Sequence, residues 1–326
     1  MKVGLLNNIR SRRNKSGVDL IHRMVRDFPH IVCVDLHQIE DMDRALTEFA
    51  RDRVQMVVIN GGDGTVDAVI TDLITTGRFQ TLPLLALLPG GTTNMTANDI
   101  GLKGRPDRSL YRLGQITKED GRLLKTKAVR AIEVDFRPGE APLYGFFFGT
   151  SAITRTVLQS SRYLDRPKLH ASLGVAATFG GALMDIVLGR GKITGDQKDN
   201  IFQGEGIGVA ADGASDVKMP YLLNMVTTLD HLLFHSKPFW GTEEGALHYM
   251  AISYPPAQIW RAVYSILWGG KIRHFPSTDY ISQNAREIRF SMSRPFVLDG
   301  EVCHPCPGKP VVLREGPELR FVTWDA

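Results

Sequence analysis

The sequence predicts two domains: an α/β domain built on a parallel, Rossmann-like sheet, then a second, mainly antiparallel β-sandwich domain. Three observations predict it. Apolar strand-like runs alternate with amphipathic helical stretches over about the first 125 residues. Glycine-rich segments follow two of those strand-like runs. Beyond that point the chain turns to short β signals broken by Gly and Pro. The expected division is 1–125 for the first domain and 126–311 for the second, with a last strand near 312–326 returning to the first.

The elements of the first domain follow in order. KVGLLN (Lys2 to Asn7) reads as a buried strand. Ser16 to Phe28 has helical spacing, with Leu20, Ile21, Met24, Val25 and Phe28 on one face. IVCVDL (Ile31 to Leu36) is the second strand and Asp41 to Asp52 the second helix. VQMVVIN (Val54 to Asn60) is the third strand. The third helix, Thr65 to Thr76, is stopped by Gly77. LPLLALL (Leu82 to Leu88) is the fourth strand, ended by Pro89, Gly90 and Gly91. In an open parallel sheet ligands lie beyond the carboxyl ends of the strands. Both glycine-rich stretches fall there.

In the second domain AVRAIEVDF (Ala128 to Phe136) and YGFFFGT (Tyr144 to Thr150) read as strands. Helical stretches follow at about Ser151 to Leu164 and Ala171 to Leu188. The rest is short β signal: IFQGEGIGVAA, ALHYMAISY, EIRFSM, PFVLDGEV, PVVLRE and LRFVTW.

Composition narrows the class. The 326 residues are 43% apolar and 23% charged, an ordinary globular balance. The net charge of +4 suits anionic partners. It is too weak to imply nucleic acid, and no basic stripe interleaved with aromatics occurs. Three cysteines, Cys33, Cys303 and Cys306, do not make a disulfide framework and point to a reducing compartment. CHPC at 303–306 has no second pair to complete a zinc site. The N-terminal apolar run is too short for a signal peptide. Ala171 to Gly189 carries Asp185 and internal glycines, and is read as a buried or membrane-contacting helix rather than a span. A cytoplasmic protein with peripheral membrane contact is expected.

The first glycine-rich stretch is Gly61-Gly62-Asp63-Gly64-Thr65. Glycines let backbone approach a ligand closely, and N–H groups at a helix start attract anions. An oligophosphate fits there. Asp63 would repel phosphate, so its expected place is on Mg²⁺, directly or through water; alternatively it caps the following helix. The second stretch, Gly90-Gly91-Thr92-Thr93-Asn94, has the same organisation. Its Thr and Asn side chains suit phosphate, base or ribose oxygens, or a plain helix cap. The third element is Asp299-Gly300-Glu301, in a tight turn between strands. A carboxylate there could take a proton from a hydroxyl, or the pair could be an ordinary Asp-Gly hairpin turn.

Together and in this order, GGDGT, GGTTN and DGE resemble the diacylglycerol kinase catalytic-domain family, which includes sphingosine and ceramide kinases. Asn8 and Ser11 resemble part of its N-terminal nucleotide loop, with Ile9 and Arg12 as departures. Met95, Ala68 and Asn98 depart from residues that many members carry.

The resemblance implies transfer of the γ-phosphoryl group of ATP, with Mg²⁺, to the primary hydroxyl of a diacylglycerol- or ceramide-like lipid. The nucleotide would lie in the cleft between the domains. Asn8, Ser11, Gly61 to Thr65 and Gly90 to Asn94 would hold it, with Asp63 toward the metal. Asp299 would be the general base and Glu301 its helper. Two other readings stay open: an NAD kinase-like or sugar kinase-like enzyme using the same GGDG loop, and a nucleotide-binding regulatory protein without catalysis. The aromatic and basic mixture of Gln258 to Phe275 fits an anionic bilayer surface, or core packing of its tryptophans. The lipid would be the partner; a homodimer is left open.

Overall fold

The computed structural model describes residues 1–11, 18–90, 95–119, 121–163, 203–232, 236–259, 262, 265 and 276–324. It divides into two compact units: residues 1–131 with 317–326, and residues 132–316. The helix expected over Ala171 to Leu188, and Trp260, Tyr264 and Trp268 of the aromatic and basic stretch, lie outside the described residues.

The first unit begins with three strand–helix pairs. They are β1 (Val3–Asn8) and α1 (Val18–Arg26), β2 (Ile31–Leu36) and α2 (Ile39–Arg51), then β3 (Met56–Gly61) and α3 (Asp63–Thr75). β4 (Leu84–Pro89), α4 (Met95–Ile100) and α5 (Pro106–Lys118) follow. α5 opens on Pro106, whose fixed φ and missing N–H suit the first helical position.

The strands lie in the order β4-β3-β1-β2, all parallel, with β2 at the edge. Val3, Leu5, Met56, Val58, Ala86 and Leu88 pack with Ile21 and Phe28 of the α1 region and with Leu110 and Leu113 of α5. Alternate residues Leu6, Val57 and Ile59 have no exposed surface either. Burial of both faces explains why these strands read as near-continuous apolar runs. Each such Leu or Ile contributes about 1.5–3 kcal/mol.

β5 (Lys125–Asp135) leads into the second unit, which holds β6 (Leu143–Gly145), β7 (Phe147–Ser151) and α6 (Ala152–Tyr163). Next come β8 (Glu205–Ala211), β9 (Val217–Thr227), β10 (Leu247–Ser253), β11 (Tyr280–Ala285) and β12 (Glu287–Ser291). β13 (Phe296–Leu298), β14 (Glu301–Cys303) and β15 (Val311–Thr323) complete the chain.

Pairing in this unit is antiparallel, in the order β14-β13-β7-β9-β8-β12-β15, with β10 between β9 and β11. At β10 the sheet is buried on both faces. On β10, Tyr249 and Ala251 join a core with Phe148, Phe290 and Phe296, while Met250 and Ile252 join Ala152, Leu222 and Tyr280. The rings of Phe148 and Phe296 lie 5.1 Å apart, and Phe136 meets Phe296 edge-on at 5.0 Å. Phe146 and Phe148 of the aromatic run have no exposed surface, so they are core residues of this unit.

Several elements differ from those expected, and α5 and β11 answer to none of them. PVVLRE and LRFVTW are one strand, β15, although Gly316 and Pro317 stand in its middle. Residues 311–314 pair with β12, and Phe321 pairs in parallel with Leu85 of β4. The strand changes partners across Gly316-Pro317 and also pairs with β5. β9, which was not expected, runs between β7 and β8. Pro220 interrupts its sequence signal.

Candidate active site

The first glycine stretch turns directly from β3 into α3. Gly61 is the last residue of β3, Gly62 the N-cap and Asp63 the first residue of α3. The Gly62 carbonyl accepts the N–H groups of Thr65 at 2.9 Å and Val66 at 3.1 Å, the first turn of the helix. A Cβ on Gly61 would lie 2.7 Å from Cβ of Thr65, so only glycine fits beneath that threonine. Thr65 Oγ1 accepts Nδ2 of Asn8 at 2.8 Å. Asn8 Oδ1 in turn accepts the N–H of Arg10 at 3.0 Å, and its carbonyl accepts that of Ser11 at 3.1 Å. Asn8, Ser11, Gly61 and Thr65 thus belong to one corner at the carboxyl ends of β1 and β3.

The second stretch lies beside the first. Gly61 pairs with Pro89 across β3 and β4, and the Gly90 N–H reaches the Gly61 carbonyl at 3.1 Å. Gly91, Thr92, Thr93 and Asn94 lie outside the described residues.

Asp63 joins the two stretches. Its Oδ2 accepts the N–H of Met95 and its Oδ1 that of Thr96, both at 3.2 Å. Those are the first two residues of α4, whose N–H groups have no partner within the helix. The acid therefore caps α4 rather than its own helix, and its charge suits the positive end of that helix. A carboxylate is a hard anionic oxygen donor, so the chemistry of Asp63 suits a hydrated magnesium ion held through water.

Sequence reasoning missed a polar row at the same strand ends. Asn60 Nδ2 donates to Asn7 Oδ1 at 2.8 Å, and Asn7 Nδ2 to Asp35 Oδ1 at 2.8 Å. The three sit side by side on β3, β1 and β2. Asn7 and Asn60 are buried at 0% and 1% exposure. The available signal was a polar residue closing an otherwise apolar strand in KVGLLN and again in VVIN.

In the second unit, Asp299 and Gly300 form the two-residue turn between β13 and β14, with φ of 46° and 97°. Both angles are positive, as a type I′ hairpin requires. The side chain of Asp299 points inward and is only 6% exposed. Its Oδ2 accepts the Phe146 N–H at 2.6 Å, and its own N–H donates to the Phe147 carbonyl at 2.8 Å. Phe146 separates β6 from β7, so the aspartate supplies an acceptor where the strands break. A Cβ on Gly145 would clash with that same Oδ2. Glu301 is exposed.

Other acidic and thiol groups of the second unit have local roles. Asp212 Oδ1 accepts the N–H groups of Arg286 and Glu287, and Asp216 accepts the Ser291 hydroxyl. Cys303 and Cys306 are free and partly buried, and burial pushes the Cys303 thiol up. Neither aspartate nor either thiol joins a group of three metal-ligating side chains among the described residues.

The segment that holds the corner at β1, β3 and β4 has known relatives. Residues 2–125 match the model of the diacylglycerol kinase catalytic domain. The chain is 35% identical over 89 residues to a protein of Stenotrophomonas maltophilia named "Probable lipid kinase YegS-like". It is 40% identical over 70 residues to "Probable lipid kinase YegS" of Salmonella arizonae. These matches cover 27% and 22% of this chain and span only 29% and 23% of the relatives' own lengths.

Solved structures are similar in fold over far more of the chain. A diacylglycerol kinase structure from Bacillus anthracis matches with TM-score 0.63 at 16% identity, covering 98% of this chain and 96% of that one. A second structure from the same organism matches with TM-score 0.65 at 16% identity, over 98% and 94%. Among the described residues no helix is long and apolar enough to cross a membrane.

Proposed function

We propose that the protein is an ATP-dependent lipid kinase that phosphorylates the primary hydroxyl of a diacylglycerol- or ceramide-like lipid. The observation that carries this reading is the juncture of the two glycine stretches. Gly90 bonds to Gly61, and Asp63 fixes the start of α4. Backbone free of Cβ thus lies at the carboxyl ends of two adjacent parallel strands, where a triphosphate is expected. The names of the relatives support a lipid acceptor, and the family match supports the kinase chemistry.

Phosphoryl transfer asks mainly for positioning and charge neutralisation. The backbone of Gly61, Gly62 and Gly64 and the hydroxyl of Thr65 hold the phosphates, with Asn8 fixing the Thr65 rotamer. Thr92, Thr93 and Asn94 complete the nucleotide contacts. Asp63 would hold magnesium through water, and the ion would offset charge on the phosphates. The lipid hydroxyl oxygen bonds to the γ-phosphorus, the bond from that phosphorus to the bridging oxygen breaks, and ADP leaves. Asp299 accepts the hydroxyl proton, and Glu301 is its helper. The lipid partner calls for peripheral membrane contact, and three cysteines without a disulfide framework suit the cytoplasm.

Incubation of the pure protein with labelled ATP, magnesium and a panel of diacylglycerol, ceramide and sphingoid bases tests this. Label should enter one lipid class as a phosphomonoester. A chain that binds ATP yet labels none of them is a regulatory nucleotide binder instead. The backbone bonds that already occupy Asp63 and Asp299 favour that as the second reading.

A further inference from the structure

His22, Cys33 and Asp35 bring an imidazole nitrogen, a thiol sulfur and a carboxylate oxygen within 4.8 Å of one another. The kinase reading gives them no role. All three belong to the first unit. Cys33 and Asp35 alternate on β2, so their side chains leave the same face of this edge strand. His22 reaches them from α1, its Nε2 2.9 Å from Asp35 Oδ2 and 3.0 Å from Oδ1. Each is partly exposed, so an ion can enter from solvent.

A second observation points to a ligand set. Asp35 Oδ1 is held by Asn7 Nδ2, and Asn7 is held in turn by buried Asn60. Metal-ligating carboxylates are typically oriented by such outer hydrogen bonds. A bare ion pair between a half-exposed His and an Asp does not need one.

We propose that His22, Cys33 and Asp35 form a three-ligand site for a divalent transition ion of the zinc class. The mixed nitrogen, sulfur and oxygen donors suit a borderline-soft ion, whereas magnesium and calcium take oxygen alone. Three protein ligands leave one tetrahedral position for water. As the metal–sulfur bond forms, the thiol proton passes to solvent. Nε2 of His22 and one oxygen of Asp35 then turn from each other to the ion. Asn7 joins the site to Asn60, the residue before Gly61.

The full chain, stripped with chelator, is titrated with Co²⁺ and followed by absorption. Expected are a thiolate-to-cobalt charge-transfer band saturating at one equivalent and its displacement by one equivalent of Zn²⁺. Cys33→Ser removes the band. His22→Gln and Asp35→Asn each weaken binding at least tenfold, with circular dichroism unchanged. The double variant Cys303→Ser, Cys306→Ser keeps the band. Absence of the band in the wild type, its survival in Cys33→Ser, or its loss in the Cys303, Cys306 variant overturns the site. None of these readouts uses ATP or lipid, so the result is independent of the kinase reading.

Discussion

Asp299 Oδ2 accepts the backbone N–H of Phe146 at 2.6 Å, across 153 positions of sequence. One carboxylate therefore has a structural task that asparagine can also perform and a proposed chemical task that it cannot. Asn offers an oxygen acceptor and tolerates the positive φ at this position.

Asp299→Asn should keep its melting temperature within a few degrees and lose lipid phosphorylation. Asp299→Ala should lose about 1–3 kcal/mol as well, because the buried Phe146 N–H is left without its acceptor. Gly145→Ala should lose a similar amount, about 1–3 kcal/mol, by forcing a Cβ against Oδ2. Denaturant melts and a turnover assay on the three variants check this; full turnover in Asp299→Asn removes the base.

Asp63→Ala takes the cap from α4. The expected cost is about 0.5–2 kcal/mol of stability. Affinity for ADP should fall at the same time, because the second glycine stretch loses its anchor to the first. Calorimetric titration with ADP beside a thermal melt measures both; unchanged ADP affinity in a destabilised variant separates the cap from the nucleotide site.

Thr65→Val keeps the shape at Gly61 and deletes the acceptor for Asn8 Nδ2. Stability should fall by about 0.5–1.5 kcal/mol, the net worth of an ordinary hydrogen bond. ATP affinity should fall several-fold, and Asn8→Ala should fall similarly. The double variant should lose less than the sum of the two, which a double-mutant cycle reads directly.

Asp41 gives a pH prediction. The His37 amide, with the Gln38 amide and the Arg44 guanidinium, holds its carboxyl below the usual carboxylate range against a smaller opposing effect of burial. A lowered folded-state pKa means that the unfolded chain binds the proton first on acidification. The stabilisation is complete above the ordinary aspartate range and is lost as pH falls through the folded value. Wild type should therefore melt higher than Asp41→Asn at neutral pH, and the gap should close on acidification. A gap that stays constant in thermal melts from pH 7 to about 3, through the aspartate range, contradicts the assignment.

Much of the fold was legible because its signals are local. The apolar runs of β1, β3 and β4 and the glycines after them sit where strand period and turn chemistry put them. Helices α2 and α3 were expected within two residues of their ends. Where tertiary context overrides local signal, the reading failed: Pro220 hid β9, and Gly316-Pro317 split β15. The candidate site divides in the same way. Asn8, Gly61, Thr65 and Gly90 meet as strand neighbours, which adjacency in a parallel sheet makes readable.

By itself the sequence determined the α/β character of the first unit, the antiparallel character of the second, and the placing of two glycine stretches at strand ends. These depend on periodicity and on residues with special backbone freedom. Only the tertiary structure decided what the acids hold. Asp63 reaches the amides of α4, Asp299 reaches Phe146, and Asp35 gathers Asn7 and His22. Each of these is a side-chain direction toward a partner distant in sequence, and no one-dimensional pattern carries that direction.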